Sequence, residues 1–136
     1  MIVVDASLMV AWLLDEPAMP LGLELDKLFE RETLVVPGHW SAEICNALVT
    51  NVRRKRVAQN DVDALVDQCF ALNILVESPL PIAQIGPLAR LTAAQNLTAY
   101  DAAYIHIAIE RSIPLGTLDN EMRVAAQRLG INVLPS

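Results

Sequence analysis

The sequence predicts an α/β protein, a three-layer α/β/α sandwich around a mainly parallel central sheet. Three observations predict it. Short apolar runs, among them Ile2-Val3-Val4, Leu34-Val35-Val36 and Ile74-Leu75-Val76, alternate with longer segments of helical character, and that alternation implies parallel strands covered by helices on both faces. The chain is 54% hydrophobic with only six aromatic residues, so its core is aliphatic, as packed α/β layers require. At 136 residues with no repeat, linker or low-complexity segment, one domain spanning 1–136 suffices to bury such a core.

The elements follow in order. The first strand ends at Asp5, after which Ser7 is placed to N-cap an apolar helix through Leu14 that Pro17 stops. A helix over 21–30 leads to the second strand, closed by Pro37-Gly38 before a longer helix over 40–54. A helix over 61–71 precedes the third short strand. Pro79 and Pro81 then introduce a helical stretch reaching Asn96, in which Gly86-Pro87 marks a kink or a late start and Asn96 a left-handed stop. Thr98 precedes a nearly all-apolar helix over 99–110. A strand over 114–117, a polar helix to Leu129 capped by Gly130, and a strand over 131–134 complete the chain.

Charge and cysteine content narrow the function classes. A formal net charge of −6 opposes indiscriminate binding to polyanions, so any nucleic-acid contact must be local. Four of the ten basic residues form one run, Arg53-Arg54-Lys55-Arg56, which suits either a phosphate backbone or the negative pole of a helix end. Cys45 and Cys69 lack CxxC or CxxH spacing and read as reduced core thiols, which makes the cytosol the natural compartment. The N-terminus lacks a basic export region, and the apolar stretch over 8–14 is too short to span a bilayer, so no membrane association is expected.

Four acids stand apart from the other twelve. In parallel sheets, sites form at the carboxyl ends of strands; Asp5 ends the first strand and Asp119 lies just past the fourth. Glu43, in the helix leaving the second strand, falls on or beside the apolar stripe of Ile44 and Leu48. Asp101 precedes Tyr104, Ile105 and Ala108 on a helix with almost no polar face, where an unpaired carboxylate is costly to bury. Structural roles compete: Thr98-x-x-Asp101 resembles a capping box, and Asp119 can N-cap the last helix. Four acids on one rim without adjacent Lys or Arg would nevertheless repel strongly unless a divalent cation neutralised them. Oxygen-only ligation suits Mg²⁺ or Mn²⁺ and a phosphate-bearing substrate. Such an ion activates water without a histidine nucleophile or base.

Other polar residues take lesser parts. His39 and Glu43 at i, i+4 imitate a zinc-binding pair but lack a third ligand at a suggestive spacing, and His106 reads as a packed core residue. Ser7, Asn46 and Thr117 are placed beside the acids, where they can orient a carboxylate or a bound water.

These residues resemble the PIN-domain ribonucleases, and especially the VapC-type toxins of toxin-antitoxin pairs. The resemblance rests on Val3-Val4-Asp5-Ala6-Ser7, on Pro37 followed by Ser41-Ala42-Glu43-Ile44-Cys45-Asn46-Ala47-Leu48, on Leu97-Thr98-Ala99-Tyr100-Asp101-Ala102-Ala103-Tyr104 and on Thr117-Leu118-Asp119, and it spans nearly the whole chain. It implies that Asp5, Glu43, Asp101 and Asp119 surround one or two Mg²⁺ or Mn²⁺ ions, with Asp5 and Asp101 as main ligands, and hydrolyse RNA. It further implies attack on RNA such as transfer or ribosomal RNA, a homodimer, and inhibition by a cognate antitoxin lying in the acidic groove. The fourth acid is the least constant of the family's set, so Asn120 and Glu121 stand as neighbours able to replace Asp119. A non-catalytic PIN-like binding module is the alternative. Phospho-acceptor and haloacid-dehalogenase-like chemistries do not fit: the only lysines, Lys27 and Lys55, lie in or beside helices, and Ser7 stands where a second aspartate is needed.

Overall fold

A computed structural model describes residues 1–15 and 22–136. Strands β1 (Ile2–Val4), β2 (Leu34–Val36), β3 (Ile74–Val76), β4 (Leu115–Gly116) and β5 (Val133–Leu134) form one sheet in the order β3-β2-β1-β4-β5. Every neighbouring pair is parallel, with Val3 in register with both Val35 and Leu115. The expected mainly parallel sheet is therefore fully parallel.

Helices α1 (Ala6–Leu13), α2 (Gly22–Arg31), α3 (Trp40–Arg53), α4 (Val62–Phe70), α5 (Ile85–Gln95), α6 (Ala99–Arg111) and α7 (Asn120–Arg128) fill the connections. Parallel crossovers are right-handed, so the chain covers one face while it moves from β1 to β3 and the other after it crosses back to β4. The packing agrees: α1 lies against α3, whereas α6 lies against α5, α7 and the central strands β1, β2 and β4. This reversal makes β1 and β4 the switch point, where the carboxyl ends of neighbouring strands diverge and leave a crevice.

The central strands are apolar because they have no free face. Val3, Val4, Leu34, Val35, Val36 and Leu115 are fully buried. From α1, Leu8 and Met9 close one side, and from α6, Tyr104 and Ile105 close the other. The Trp12 indole N–H donates to Asp26 at 2.6 Å and its ring meets Phe29 edge-to-face at 5.2 Å, which ties α1 to α2. At the sheet edge β3 is less covered, with Leu75 and Val76 exposed.

Several boundaries differ from the sequence reading for local reasons. The helix predicted over 61–71 is α4, preceded by a 3₁₀ turn at Gln59–Asp61. The stretch around Gly86-Pro87 is a late start: Pro87 sits in the first turn of α5, where its missing N–H has no intrahelical acceptor anyway. Asn96 does stop α5 in the left-handed region, at φ 54°, and Gly130 follows α7 at φ 75°. The cap of α1 is Asp5 rather than Ser7, since Asp5 is extended and its carboxylate accepts the Leu8 N–H. Cys45 is exposed rather than a core thiol, because it lies off the buried stripe of Trp40, Ile44 and Leu48, while Cys69 packs against the core. Pro17 and the start at Leu21 lie outside the described residues.

Gly116 fixes how closely α1 approaches the switch point. A Cβ there would stand 2.8 Å from Leu8 Cδ2, and Leu8 is fully buried. Gly116→Val is expected to destabilise the protein by about 1–3 kcal/mol through overpacking. Urea denaturation checks this, and an unchanged midpoint would contradict so tight a contact.

Candidate functional site

The fold brings Asp5, Glu43, Asp101 and Asp119 to the carboxyl edge of the sheet, each at the N-terminal end of a different helix. Asp5 caps α1, Glu43 lies in the first turn of α3, Asp101 in the first turn of α6, and Asp119 caps α7. A helix N-terminus carries positive partial charge and free N–H groups, so each carboxylate is set where its own helix favours a negative group.

Asp5 is the most constrained. It is only 4% exposed, at the crevice between β1 and β4. Its carboxylate accepts the Thr117 hydroxyl at 2.6 Å, the Ser7 hydroxyl at 2.8 Å and the Leu8 N–H at 2.9 Å. Burial nevertheless pushes its pKa up to about 6, against the lowering effect of these hydrogen bonds; the nearby charge of Asp119 adds to the rise.

Thr117 is fully buried and joins two acids. Its hydroxyl donates to Asp5 and accepts the backbone N–H of Asp119 at 3.0 Å. Ser7 repeats the device, donating to Asp5 and accepting the Leu118 N–H at 3.2 Å. Asp119 uses Oδ1 to accept the Met122 N–H at 2.9 Å, so the capping role expected for it is real and leaves Oδ2 free. Glu121, the neighbour weighed as its substitute, is exposed in the first turn of α7, and Asn120 is exposed as well.

On the other side of the rim, Glu43 Oε1 accepts the Tyr104 hydroxyl at 2.6 Å and lies 3.2 Å from His39 Nε2. Burial, that hydrogen bond and the charges of Glu43 and Asp5 raise the Tyr104 pKa, so the phenol stays a donor. Tyr104 was absent from the sequence reading of the site. A tyrosine one turn after Asp101 on an apolar helix was the available signal, since a buried phenol needs an acceptor. The His39 ring packs edge-to-face between Tyr100 and Tyr104. His106 is half-buried and lines a separate cavity with Pro37 and Glu110 instead of packing in the core.

Asp101 is half-buried. Its N–H donates to Thr98 at 3.2 Å, the first half of the expected capping box; the return bond to the Thr98 amide is not made among the described residues. Burial and the charges of Asp119, Glu43 and Glu121 raise its pKa, while the Thr98 hydroxyl lowers it. Asn46 is exposed, lines the groove beside Glu43 and Asp101, and holds no carboxylate among the described residues. Arg53 lines that groove; Arg54, Lys55 and Arg56 continue past the helix end and, like Arg53, are exposed.

No Lys or Arg pairs with Asp5, Asp101 or Asp119 among the described residues, and Arg123, the nearest in sequence, donates instead to the carbonyls of Thr117 and Pro135. The charge of Asp119 thus adds to the raised pKa of Asp5, and those of Asp119 and Glu43 to that of Asp101, with no Lys or Arg to offset them among the described residues. This all-oxygen set fits a hard divalent ion, although no three acidic, His or Cys side chains stand already closed around one point among the described residues. An ion that keeps several of its waters, as magnesium does, suits such an open arrangement.

The raised pKa of Asp5 has a sign that can be tested. The fold favours its protonated form, so its contribution to stability is present below the ordinary value of 3.8 and is lost as pH rises through about 6. In chelator, the loss amounts to about 3 kcal/mol by pH 7. Urea denaturation across pH 4–7 is expected to show a flatter dependence for Asp5→Asn than for the unaltered protein, and parallel profiles would refute the burial argument.

Comparison with known proteins agrees with this fold. No curated protein matches the chain. The crystal structure of PAE2754 from Pyrobaculum aerophilum superposes with a TM-score of 0.73 over 98% of this chain and 88% of that one, at 24% identity, a likeness of fold. The family model described as PIN domain matches residues 2–127. With its parallel sheet and acid-lined switch point, the chain belongs to the PIN domain family, whose fold is generally that of nucleases.

Proposed function

We propose that this chain, as a single domain over 1–136, is a metal-dependent endoribonuclease hydrolysing RNA phosphodiester bonds, and the toxin of a type II toxin-antitoxin system. The observation that carries the nuclease reading is the rim itself: Asp5, Glu43, Asp101 and Asp119 reach one crevice from four helix N-termini with no Lys or Arg partner among the described residues, His39 standing beside Glu43. The toxin role, with a cognate antitoxin and a homodimer, rests on the four sequence motifs and their spacing.

In this reading Asp5 and Asp101 are the main ligands of Mg²⁺ or Mn²⁺, with Glu43 and Asp119 completing the set. A divalent ion bound there would lower the pKa of an attacking water and offset the charge that develops on the phosphoryl oxygens. The chain's own part is positioning. Thr117, Ser7 and the Leu8 N–H hold both Asp5 oxygens in one orientation. Tyr104 fixes one oxygen of Glu43 and leaves the other for ligand or water. Met122 does the same for Asp119. Prior fixing of these carboxylates removes the reorganisation that loose side chains would undergo in the transition state.

Two outcomes follow. Purified protein free of any partner should cleave RNA with magnesium or manganese, and Asp5→Asn or Asp101→Asn should lower the rate at least a hundredfold, on the order of 3 kcal/mol of barrier. Cleavage persisting in both variants would sink the assignment. Separately, thermal denaturation should shift upward with magnesium or manganese, by about 2.7 kcal/mol of stability at a hundred times the dissociation constant. A flat response would reduce the acids to helix caps.

A further inference from the structure

Arg123 is the one basic side chain that the fold withdraws from solvent. The chain has ten Lys and Arg residues, all of them among the described residues; nine are exposed, the run over 53–56 included, and Arg123 is half-buried. Removing a guanidinium from water is costly unless its donors are met, and here they are met by carbonyl oxygens. Nη1 donates to Thr117 at 2.8 Å and Nη2 donates to Pro135.

Its place on α7 makes that choice informative. Arg123 lies four residues after Asp119, the spacing at which opposite charges on a helix meet, yet it makes no ion pair with that acid among the described residues. The two carbonyls it takes belong to the exits of neighbouring strands. The ladder between β4 and β5 ends with the Thr117 N–H on the Leu134 carbonyl at 3.0 Å, and the guanidinium carries the connection one step further, from Thr117 to Pro135. Thr117 is thereby held through its N–H by β5 and through its C=O by Arg123. What remains is its hydroxyl, which donates to Asp5 at 2.6 Å and accepts the Asp119 N–H at 3.0 Å. A β-branched side chain is stiff about χ1, so a fixed Thr117 backbone fixes where that hydroxyl points.

We infer that Arg123 is a positioning residue of the acid rim. By clamping the exits of β4 and β5 it holds the Thr117 hydroxyl between Asp5 and Asp119, and by directing its donors at carbonyls it leaves the Asp119 carboxylate without a competing cation. The inference rests on the nuclease reading for what the acids bind, and it gives Arg123 no contact with substrate or ion. Lysine is a poor replacement, since an ammonium lacks the planar fork that serves two oxygens at once.

Two measurements test this, the first without metal. Amide hydrogen exchange is followed by NMR in chelator for Asp119, whose N–H bonds to Thr117, and for Val3 and Val35 in the buried central strands. Arg123→Met, which keeps an apolar stem, should accelerate exchange at Asp119 roughly tenfold relative to the two valines, the effect of losing a charge-assisted hydrogen bond. Manganese affinity is then read from the Mn²⁺ dependence of thermal denaturation. Arg123→Met should weaken it roughly tenfold, as removal of groups that orient metal ligands does, and Arg123→Lys should recover only part of the loss. In a Thr117→Val background Arg123→Met should weaken it no further, because its action passes through that hydroxyl. Circular dichroism checks each fold, and Arg123→Lys carries the exchange comparison if Arg123→Met unfolds. Exchange at Asp119 that merely follows the valines is general loosening and overturns the inference, as do full recovery with lysine and additive losses with Thr117→Val. The unaltered protein is also assayed for RNA cleavage with manganese. Exchange that depends on Arg123 in a protein that neither binds manganese nor cleaves upholds the clamp and overturns the nuclease reading; manganese-dependent cleavage with exchange and affinity indifferent to Arg123→Met does the reverse.

Discussion

The structure depends on keeping one carboxylate in a place that opposes its charge. Asp5 lies at the end of the central strand, where the strand order reverses and α1 leaves the sheet, and it is almost wholly removed from water. Its hydrogen bonds come from two pieces of chain: the Leu8 N–H and the Ser7 hydroxyl in the first turn of the helix it caps, and Thr117 from beyond β4. None is a full charge. The interaction is therefore a balance in which donors hold the carboxylate in position without satisfying it, and an unsatisfied buried charge is what gives a cation a reason to bind.

The other three acids repeat this solution less severely. Each is placed by the N-terminus of its own helix, so the macrodipoles of α1, α3, α6 and α7 all direct their positive ends at one rim. That explains how a cluster without arginine or lysine can be assembled in a folded protein. It also explains why the capping and ligating roles weighed against each other for Asp119 are compatible: the cap uses one oxygen. Tyr104 plays for Glu43 the part that Thr117 plays for Asp5, and it links α6 to α3 across the rim.

Much of this was legible in the sequence because the strands are short, apolar and punctuated. Ile2-Val3-Val4 and Leu34-Val35-Val36 can only be two-sided strands, and Asn96, Gly130 and Thr98 mark helix ends by chemistry that needs no tertiary context. The acids stood out because carboxylates on apolar faces require an explanation. What was not legible depends on which atoms meet across the fold. Ser7 reads as the cap when Asp5 is counted as the end of the strand, but the extended backbone that a cap needs falls at Asp5, and Ser7 lies within the helix. Cys45 and His106 were read as core residues from apolar neighbours in sequence, yet each points away from its helix's buried stripe. Tyr104 signalled only that a buried phenol on an apolar helix needs an acceptor, and which acceptor was hidden because Glu43 is 61 residues away.

The backbone of Asp5 donates to Gly116 and that of Thr117 donates to Leu134, so the two residues that organise the rim are also rungs of the β1-β4-β5 ladder. In strands of two or three residues such rungs are a large share of the sheet's bonds. The rim accordingly has no separate thermal life. It cannot loosen as a mobile loop does while the body of the protein persists, and loss of the rim's geometry and global unfolding become a single cooperative event.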